Sequence, residues 1–229
     1  MNDTSILYIV ATPIGNLEDI TLRAIRILKE VDCILCEDTR VTATLLRKYD
    51  IHTKTMSYHA HSTSAKESAI IRMLKEGKNL ALVSDAGTPC ISDPGVMLVA
   101  NVREVLGPDA HVVPIPGPSA LISALSASGL SSAGFLFLGF LPHKKGRETI
   151  FKEMSQSDGM TVFYESTHRV LKTLLSLDSH MPLCTVVIAR EITKQFEEFV
   201  RGTPKELHQY FTTNKDKQRG EFVMIVVPK

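Results

Sequence analysis

The sequence lacks the common signatures of nucleotide-binding and hydrolytic enzymes. No Gly-x-Gly-x-x-Gly follows the first apolar segment and no Gly-x-x-x-x-Gly-Lys-Ser/Thr motif is present, so the ordinary dinucleotide-binding and P-loop folds are disfavoured. A Gly-x-Ser-x-Gly motif is also missing, which removes support for serine-hydrolase chemistry. The ligand of this chain has to be inferred from other motifs.

Neither net charge nor cysteine content is high. The chain of 229 residues has 26 Lys and Arg against 25 Asp and Glu, so it has no global field that would attract nucleic acid. Its four cysteines lie in or beside apolar segments, which favours a reducing compartment over a disulfide framework. Cys33 and Cys36 have the spacing of half a zinc site, but residues three apart in a strand point to opposite faces, so a structural role is expected.

A charged-then-apolar leader and apolar runs of membrane length are absent as well. We therefore expect neither secretion nor a membrane span, and we expect a cytoplasmic location. Basic residues cluster locally, which permits an RNA partner without demanding one. The clusters are His143–Arg147 and Lys215–Arg219, with His168 and Arg169 between them in the sequence.

Short apolar runs alternate with amphipathic stretches, the pattern of a mostly parallel sheet covered by helices. In the second half the connections shorten, which predicts a mixed sheet. The strands predicted there are Phe135–Phe140, Thr161–Glu165, Leu183–Arg190, Glu197–Arg201 and Glu221–Val227. The chain is thus predicted to be α/β, with an N-terminal domain at 1–115, a C-terminal domain at 116–229 and a ligand-binding cleft between them.

Capping sequences mark the predicted helix boundaries. Ser64–Glu67 is a predicted capping box, with Gly77 closing that helix. Thr203–Glu206 repeats the pattern, with a proline at the first helical position. Pro94 and Pro118 are predicted to open helices, so that Gly/Pro loops lead into helix N-termini that bind a carboxylate or phosphate.

Three Gly/Pro-rich loops each follow an apolar, strand-like segment. They are Ile14–Asn16, Ser84–Gly95 and Pro116–Ala120. In a parallel sheet all three lie at the carboxyl edge, where open α/β folds bind ligands. Small residues there let a ligand approach the backbone, and Asp85 is the predicted polar anchor. The alternative is a set of turns that merely carry the chain across the sheet edge.

A metal site is not expected. His59 and His61, near Glu37 and Asp38, imitate a divalent metal site. Two histidines on one face of a strand are, however, also typical of an exposed polar edge.

Taken in order, the motifs resemble the tetrapyrrole methylase superfamily over nearly the whole chain. In the first half they are Pro13–Thr21, Glu37–Arg40, Ser84–Pro89 with Ile91–Gly95, and Pro114–Ala120. In the second half they are Phe137–Pro142, Phe163–Ser166, His168–Arg169, Ala189–Glu191, Thr193–Lys194, Glu197–Glu198, Arg201–Gly202 and Gly220–Glu221. The set is similar, more narrowly, to the ribosomal branch of that superfamily, the ribosomal RNA small-subunit methyltransferases I.

The resemblance implies an S-adenosylmethionine-dependent enzyme with two α/β domains, a class III methyltransferase that forms a homodimer. The implied reaction methylates the ribose 2'-hydroxyl of a decoding-centre cytidine in small-subunit ribosomal RNA, and the small ribosomal subunit is the implied partner. The residues implied to contact the cofactor are Pro13, Ser84, Asp85, Gly87, Thr88, Ser119, Ala120, Tyr164, Ala189 and Gly220.

A ribose hydroxyl is a poor nucleophile until its proton has an acceptor, so a side chain should orient the hydroxyl or take its proton. The candidate catalytic residues are Asp38, Glu191 and Lys194, with Glu37 as a fourth possibility. The alternative for Glu37, Asp38 and Arg40 is a local ion-paired turn. The residues predicted to bind RNA phosphates are Arg40, Lys144, Lys145 and Arg169.

The chain departs from the family pattern in two loops and at its end. His59–Thr63 stands where the pattern is His-x-His-Asn-Glu, and Thr167 stands where a proline precedes the His-Arg pair. The chain ends at Lys229, without the helical extension of many members, so we expect weak binding of naked RNA and action on an assembled subunit. Two alternatives stay open: a small-molecule methyltransferase of the tetrapyrrole type and a noncatalytic, cofactor-binding assembly factor.

Overall fold

The computed structural model describes residues 5–59, 62–130 and 134–229. The chain divides into two compact units, Met1–Ser119 and Ala120–Lys229. The predicted domain boundary lies a few residues earlier, in the segment that follows the last strand of the first unit. That these units behave as independent domains stays a prediction.

The sheet of the first unit is parallel. Its strands are β1 (Ile6–Val10), β2 (Cys33–Cys36), β3 (Thr55–Ser57), β4 (Leu80–Val83) and β5 (His111–Ile115). Their order is β3-β2-β4-β1-β5, and every neighbouring pair is parallel. The helices are α1 (Leu22–Glu30), α2 (Thr39–Lys48), α3 (Ser64–Lys75) and α4 (Val96–Leu106), with short 3₁₀ helices at Leu17–Asp19 and Gly107–Asp109. The carboxyl ends of the strands therefore meet at one edge of the sheet.

The inner strands β2 and β4 are buried along their whole length, as expected where helices cover both faces of a parallel sheet. Cys33 packs in one core cluster with Leu7 and Leu35, whereas Cys36 packs in another with Val10. The two thiols thus lie on opposite faces of the sheet, as predicted. Burial raises the pKa of each thiol, which keeps both neutral.

The sheet of the second unit is mixed. Its strands are β6 (Phe135–Phe140), β7 (Met160–Ser166), β8 (Thr185–Arg190), β9 (Glu198–Gly202) and β10 (Glu221–Val227). The order is β6-β7-β10-β8-β9, in which β6 and β7 are parallel and the other neighbours are antiparallel. The helices are α5 (Ala120–Ala127), α6 (Arg147–Ser155), α7 (Val170–His180) and α8 (Pro204–Thr213), and a 3₁₀ helix spans Lys215–Gln218. The predicted α/β class, with one parallel and one mixed sheet, is confirmed.

Helix α3 begins one residue earlier in the sequence than predicted. Thr63, rather than Ser64, is the N-cap residue. With this N-cap the third helical residue is Lys66, whose N–H donates to the Thr63 hydroxyl, so Glu67 is not at the capping-box position. The Glu67 carboxylate instead accepts hydrogen bonds from the Tyr58 hydroxyl, at 2.8 Å, and the Asn101 amide, at 2.6 Å. The prediction that Ser64–Glu67 is the capping box is therefore wrong.

Of the other three predicted helix starts, one is confirmed and two are wrong. Thr203 and Glu206 form the predicted capping box at the start of α8. Pro94 and Pro118 do not open helices, because α4 begins at Val96 and α5 at Ala120. The residue before α4 is Gly95, whose φ of 127° lies outside the helical region.

Candidate functional site

The loops that follow β1, β4 and β5 lie together at the carboxyl edge of the first sheet. Thr12 and Gly87 exchange backbone hydrogen bonds of 2.9 and 3.0 Å, and the Thr12 hydroxyl donates to the Ser84 carbonyl at 3.0 Å. The Thr88 hydroxyl donates to the Pro118 carbonyl at 3.2 Å. The three Gly/Pro loops therefore form one connected surface within the first unit.

Glycine is required at position 87 of this surface. Gly87 has a φ of 85°, in the left-handed region that side chains rarely adopt. A Cβ atom there would lie 3.4 Å from Cγ2 of Ile14 in the loop after β1. That distance is an ordinary van der Waals contact, so the positive φ of Gly87, and not a lack of space, is what favours glycine here.

A cavity of about 460 Å³ opens beside these loops. Its wall is formed by residues from the loops after β1, β2 and β4 and from helix α2: Thr12, Pro13, Leu17, Asp38, Arg40, Val41, Thr42, Thr44, Leu45, Ser84 and Asp85. Five predicted site residues, Pro13, Asp38, Arg40, Ser84 and Asp85, are brought together here. Gly87 and Thr88 continue the same loop, and Ser119 ends the segment that follows β5.

Carboxylates gather at this edge, and two of them have raised pKa values. Burial, together with the neighbouring charges of Glu37 and Asp85, raises the pKa of Asp93 to about 6. Burial and the charge of Asp85 also raise the pKa of Glu37. Carboxylates that raise each other's pKa are stabilised by a cation brought among them, so the site is chemically suited to a positively charged ligand. The pattern of turn residues gave no signal that Glu37 and Asp93 would act together.

Asp38 is tied to its own helix. Its carboxylate accepts the Arg40 N–H at 2.8 Å, as the N-cap of α2, and its Oδ2 lies 2.6 Å from Nη2 of Arg40. The Asp38 N–H in turn donates to Oδ1 of Asp85 at 3.1 Å. The bound Arg40 side chain and backbone lower the pKa of Asp38 to about 2. Asp38 is thus an ionised group that positions Arg40 and Asp85, and the ion-paired turn considered as its alternative is present.

In the second unit, Glu191 and Gly220 lie in contact. A Cβ atom on Gly220, whose φ is 110°, would lie 2.6 Å from Cγ of Glu191, so no side chain fits at that position. The Lys194 ammonium lies 2.9 Å from Glu191 and 2.8 Å from Glu221, and the Glu221 N–H donates to Glu191 at 2.9 Å. Glu191 itself has a φ of 52°, an uncommon conformation for a non-glycine residue. The fold thus brings together two of the candidate catalytic residues, Glu191 and Lys194, which the sequence had offered as alternatives.

The protonation states of this pair follow from its contacts. Burial opposes ionisation of Glu191, but the hydrogen bonds from Lys194 and from the Glu221 N–H outweigh it and lower the pKa of Glu191. Burial likewise acts to lower the pKa of Lys194, yet its hydrogen bonds to Glu221 and Glu191 raise it overall. Glu191 is therefore an acceptor near neutral pH, and Lys194 is a donor.

Thr167 makes two hydrogen bonds with the backbone of Gly220. The Thr167 hydroxyl donates to the Gly220 carbonyl at 2.7 Å and accepts the Gly220 N–H at 3.0 Å. Proline, which the resemblance leads us to expect at this position, has no hydroxyl with which to make these bonds. A departure noted in the sequence therefore contacts a predicted cofactor residue.

The remaining predicted cofactor residues of the second unit are scattered along its secondary structure. Tyr164 lies on β7, with its ring centroid 5.1 Å from that of Phe137 and 5.4 Å from that of Phe140. Ala189 is buried in β8, opposite Val223 of β10. Ala120 is the first residue of α5. Their contact with a cofactor stays a prediction.

The predicted RNA-binding residues of the second unit differ in exposure. Lys144 and Lys145 are exposed between β6 and α6. Arg169, by contrast, is only 14% exposed, and its guanidinium is bound to Glu165 at 2.8 Å and to the Leu141 carbonyl at 2.8 Å. These contacts favour a structural role for Arg169, and phosphate binding by it stays a prediction.

A second cavity, of about 600 Å³, lies in the second unit. It is lined by residues from the β8–β9 connection and from the segment before β10: Arg190, Glu191, Gln195, Phe196, Glu197, Glu198, Asp216, Lys217, Arg219 and Gly220. Sequence reasoning noticed the basic run Lys215–Arg219 and the pair Glu197–Glu198 separately. It missed their proximity, because only the fold brings the two segments together.

The described residues contain neither a metal-binding cluster nor a membrane-spanning helix. Among residues 5–59, 62–130 and 134–229, no group of three or more His, Cys, Asp or Glu side chains is arranged to hold a metal ion. His61, half of the His59/His61 pair, lies outside the described residues. None of the helices in the described part of the chain has both the length and the apolar character needed to cross a membrane.

Comparison with known proteins identifies the class of this fold and site. A model of the Tetrapyrrole (Corrin/Porphyrin) Methylases family matches residues 6–208. A solved structure of cobalt precorrin-4 methyltransferase, a cobalamin biosynthetic enzyme, has the same fold, with a TM-score of 0.67 and 17% sequence identity over 100% of this chain and 96% of that chain. The protein is thus a methyltransferase of the tetrapyrrole methylase class.

Relatives within that class are more similar in sequence. Ribosomal RNA small subunit methyltransferase I of Bacillus subtilis (strain 168) is 44% identical over 226 residues, which cover 98% of this chain and 76% of the relative. The protein of the same name from Halalkalibacterium halodurans is 47% identical over 227 residues, again covering 98% of this chain and 76% of the relative. The chain belongs to the tetrapyrrole methylase family, in its group of ribosomal RNA small subunit methyltransferases I.

Proposed function

We propose that this protein uses S-adenosylmethionine to methylate the ribose 2'-hydroxyl of a decoding-centre cytidine in small-subunit ribosomal RNA. One observation carries the proposal: similarity along nearly the whole chain to relatives named ribosomal RNA small subunit methyltransferase I. The small ribosomal subunit is the proposed partner, and a cytoplasmic homodimer is the proposed form of the enzyme.

The first unit has the chemistry that this cofactor needs. When bound, S-adenosylmethionine supplies an electrophilic methyl group on a cationic sulfonium. The group of Glu37, Asp85 and Asp93 fits a cation, because burial and mutual repulsion already raise the pKa values of Glu37 and Asp93. The cavity of about 460 Å³ beside Pro13 is within the usual size of small-molecule sites.

The proposed cofactor residues have distinct roles. In the first unit, the backbone around Ser84, Gly87 and Thr88 offers close approach, and Asp85 offers a carboxylate. Ser119 belongs to the same connected loops. In the second unit, the family resemblance assigns cofactor contacts to Ala120, Tyr164, Ala189 and Gly220.

Methyl transfer to a hydroxyl depends mainly on holding the oxygen in line with the methyl group. Glu191 is proposed to accept a hydrogen bond from the ribose 2'-hydroxyl, because its lowered pKa keeps the carboxylate ionised. Lys194, protonated and bound to Glu191, holds that carboxylate in place. Asp38 holds Arg40, and Arg40, Lys144 and Lys145 are the proposed phosphate contacts.

The test is methyl transfer by the pure protein from labelled S-adenosylmethionine. We expect label in small ribosomal subunits and none in precorrin-like tetrapyrroles, and label in tetrapyrroles alone would favour the small-molecule alternative. Binding of the cofactor without transfer to either substrate would favour the noncatalytic assembly factor.

Asp38→Asn and Lys194→Ala, each checked for retained cofactor binding, test the assigned roles. We expect each variant to lose about tenfold or more in rate, which is the effect of removing one positioned polar group. Unchanged rates for both would remove these residues from the mechanism.

A further inference from the structure

The cavity of the second unit extends beyond the residues assigned to the cofactor and to catalysis. Glu191 and Gly220 form one side of it, and the β8–β9 connection and the segment before β10 form the rest. Its volume of about 600 Å³ is ample for one nucleotide. The remaining wall is therefore free to bind a part of the substrate that lies next to the reacting group.

The buried guanidinium of Arg190 links the backbone on two sides of this cavity. Arg190 is only 8% exposed, and its Nε donates to the Arg219 carbonyl at 2.8 Å. Its Nη1 donates to the Phe196 carbonyl at 2.9 Å. One guanidinium thus fixes the backbone on both sides of the cavity before any ligand arrives, which reduces the entropy lost on binding.

Glu198 has one carboxylate oxygen committed and one free. Its Oε1 accepts hydrogen bonds from the Lys217 ammonium and the Tyr210 hydroxyl, each at 2.5 Å. Its Oε2 is buried and has no hydrogen-bond partner among the described residues. Although burial opposes it, the bonds from Lys217 and Tyr210 lower the pKa of Glu198, so this oxygen is an acceptor at neutral pH. A buried acceptor without a donor is costly unless a ligand supplies one.

Phe196 adds an aromatic surface at the same place. Phe196 is 64% exposed, so its ring is not part of the core. Its backbone carbonyl is held in place by the hydrogen bond from Arg190. Arg219 is also exposed on the wall of the cavity. An exposed ring, an acceptor and a nearby cation are what proteins use to stack an unpaired base, read its edge and hold its phosphate.

We propose that this cavity binds the base of the target nucleotide and that Glu198 Oε2 selects a base with an exocyclic amino group. The proposal rests on the function proposed above and names the base-recognition site of that function. The 4-amino group of cytosine donates to a carboxylate, whereas O4 of uracil is an acceptor and is repelled by it. Phe196 stacks on the base, and Glu198 discriminates cytosine from uracil.

Glu198→Gln is the decisive variant, because its amide oxygen keeps the bonds to Lys217 and Tyr210 while its amide nitrogen donates to O4 of uracil. Small subunits carrying either C or U at the target position are the substrates. We expect the wild type to prefer C by at least about tenfold in kcat/KM and Glu198→Gln to reduce that preference to about twofold or less. The matched control is Glu153→Gln on the exposed surface of α6, which should keep the wild-type preference.

A direct binding measurement separates this proposal from the proposed function. Cytidine and uridine monophosphate, titrated at millimolar concentration, are followed through the amide NMR signals of residues 196–198 and 220. We expect cytidine monophosphate to shift these signals more strongly than uridine monophosphate, and Glu198→Gln to remove the difference. Equal shifts by both nucleotides in the wild type, or an unchanged difference in Glu198→Gln, would overturn base recognition by Glu198, whatever the methylation assay shows.

Failure of the proposed function looks different: no methyl transfer to either subunit by the wild type, with the nucleotide-selective shifts intact. Phe196→Ala should raise KM for the C-containing subunit about tenfold, and Phe196→Tyr should restore it, because the stacking surface returns. A Phe196→Ala protein with unchanged KM would exclude stacking on this ring.

Discussion

At the scale of single residues, Thr167 shows how a departure from a family pattern acquires a structural role. Its hydroxyl makes both a donor and an acceptor bond with the backbone of Gly220. Gly220 has to approach Glu191 so closely that no other residue fits. Thr167 is thus a positioning residue for the loop that carries Gly220.

Replacing Thr167 by Val keeps its shape and removes both bonds. Each bond of this kind contributes about 1 kcal/mol, so loss of both should raise KM for S-adenosylmethionine by up to about thirtyfold, with a smaller change in kcat. Thr167→Ser should stay close to the wild type. Thr212→Val, on the exposed side of α8, is the control for loss of a hydroxyl alone. Equal KM values for Thr167→Val and the wild type would show that the clamp is not used in cofactor binding.

Asp93 predicts a pH dependence of cofactor binding. Its pKa of about 6 in the free protein means that it is partly protonated below pH 6. A cationic ligand favours the carboxylate, so binding releases protons and affinity should rise as pH increases from about 5 to about 7. Calorimetric titration of S-adenosylmethionine at several pH values measures this slope, which Asp93→Asn should flatten.

The raised pKa of Asp93 affects the stability of the ligand-free protein in the direction opposite to its effect on cofactor affinity. The pKa of Asp93 is raised from 3.8 to about 6 on folding, so the folded state binds more protons than the unfolded state between these values. Stability should therefore fall as pH rises through this window, and less so in Asp93→Asn. A stability profile that is identical in the two proteins would contradict the assigned environment of Asp93.

At the scale of secondary-structure elements, a buried ionic network joins α6, β7 and α7. Glu165 on β7 has a fully buried side chain, 3.3 Å from Nη2 of Arg147 on α6 and 2.8 Å from Nε of Arg169. The Thr173 hydroxyl on α7 donates to Glu165 at 2.6 Å. Through the Leu141 carbonyl, Arg169 also fastens the end of β6.

Removing one partner from such a network leaves a buried charge incompletely paired. We expect Arg147→Met to lower the free energy of unfolding by about 3 kcal/mol. Arg26→Met breaks the exposed Arg26–Glu30 pair on α1, in which both side chains are more than half exposed, and should cost less than about 1 kcal/mol. Urea unfolding followed by circular dichroism suits a chain without tryptophan. Similar losses in both variants would contradict the importance of the buried network.

Hydrophobic patterning was enough to predict the elements but not all of their ends. The strands of the second unit lie close to where the short apolar runs place them, because that pattern is local. The start of α3 was predicted one residue late because Thr63 and Ser64 are both good N-cap residues and only the fold shows that Thr63 is the cap. The contacts of Glu67 with Tyr58 and Asn101 are likewise revealed by no local pattern. The cavity of the second unit was missed for the same reason: Arg190 joins backbone segments that are distant in sequence.

At the scale of the whole molecule, the order of motifs along the chain predicted more than any single motif. Each Gly/Pro loop alone is consistent with an ordinary turn. The parallel order of β1, β4 and β5 is what makes three such loops meet, and Gly87 and Thr88 bind their neighbours across it. The grouping of candidate site residues within the first unit was therefore predictable, whereas the pKa values and hydrogen bonds inside the group required the fold.

The fold by itself does not choose the substrate, since a cobalamin biosynthetic methyltransferase shares it at 17% identity. Family membership and the proposed base site point to RNA. The proposed function and the proposed base site together predict one chemical product, a cytidine that carries a methyl group on its ribose oxygen.

The most direct test is mass spectrometry of small-subunit ribosomal RNA from cells that lack the gene, compared with the parent strain. The account predicts that one ribose-methylated cytidine in the decoding region disappears and returns when the wild-type gene, but not the Lys194→Ala gene, is restored. A decoding region that stays fully methylated in cells without the gene would contradict it.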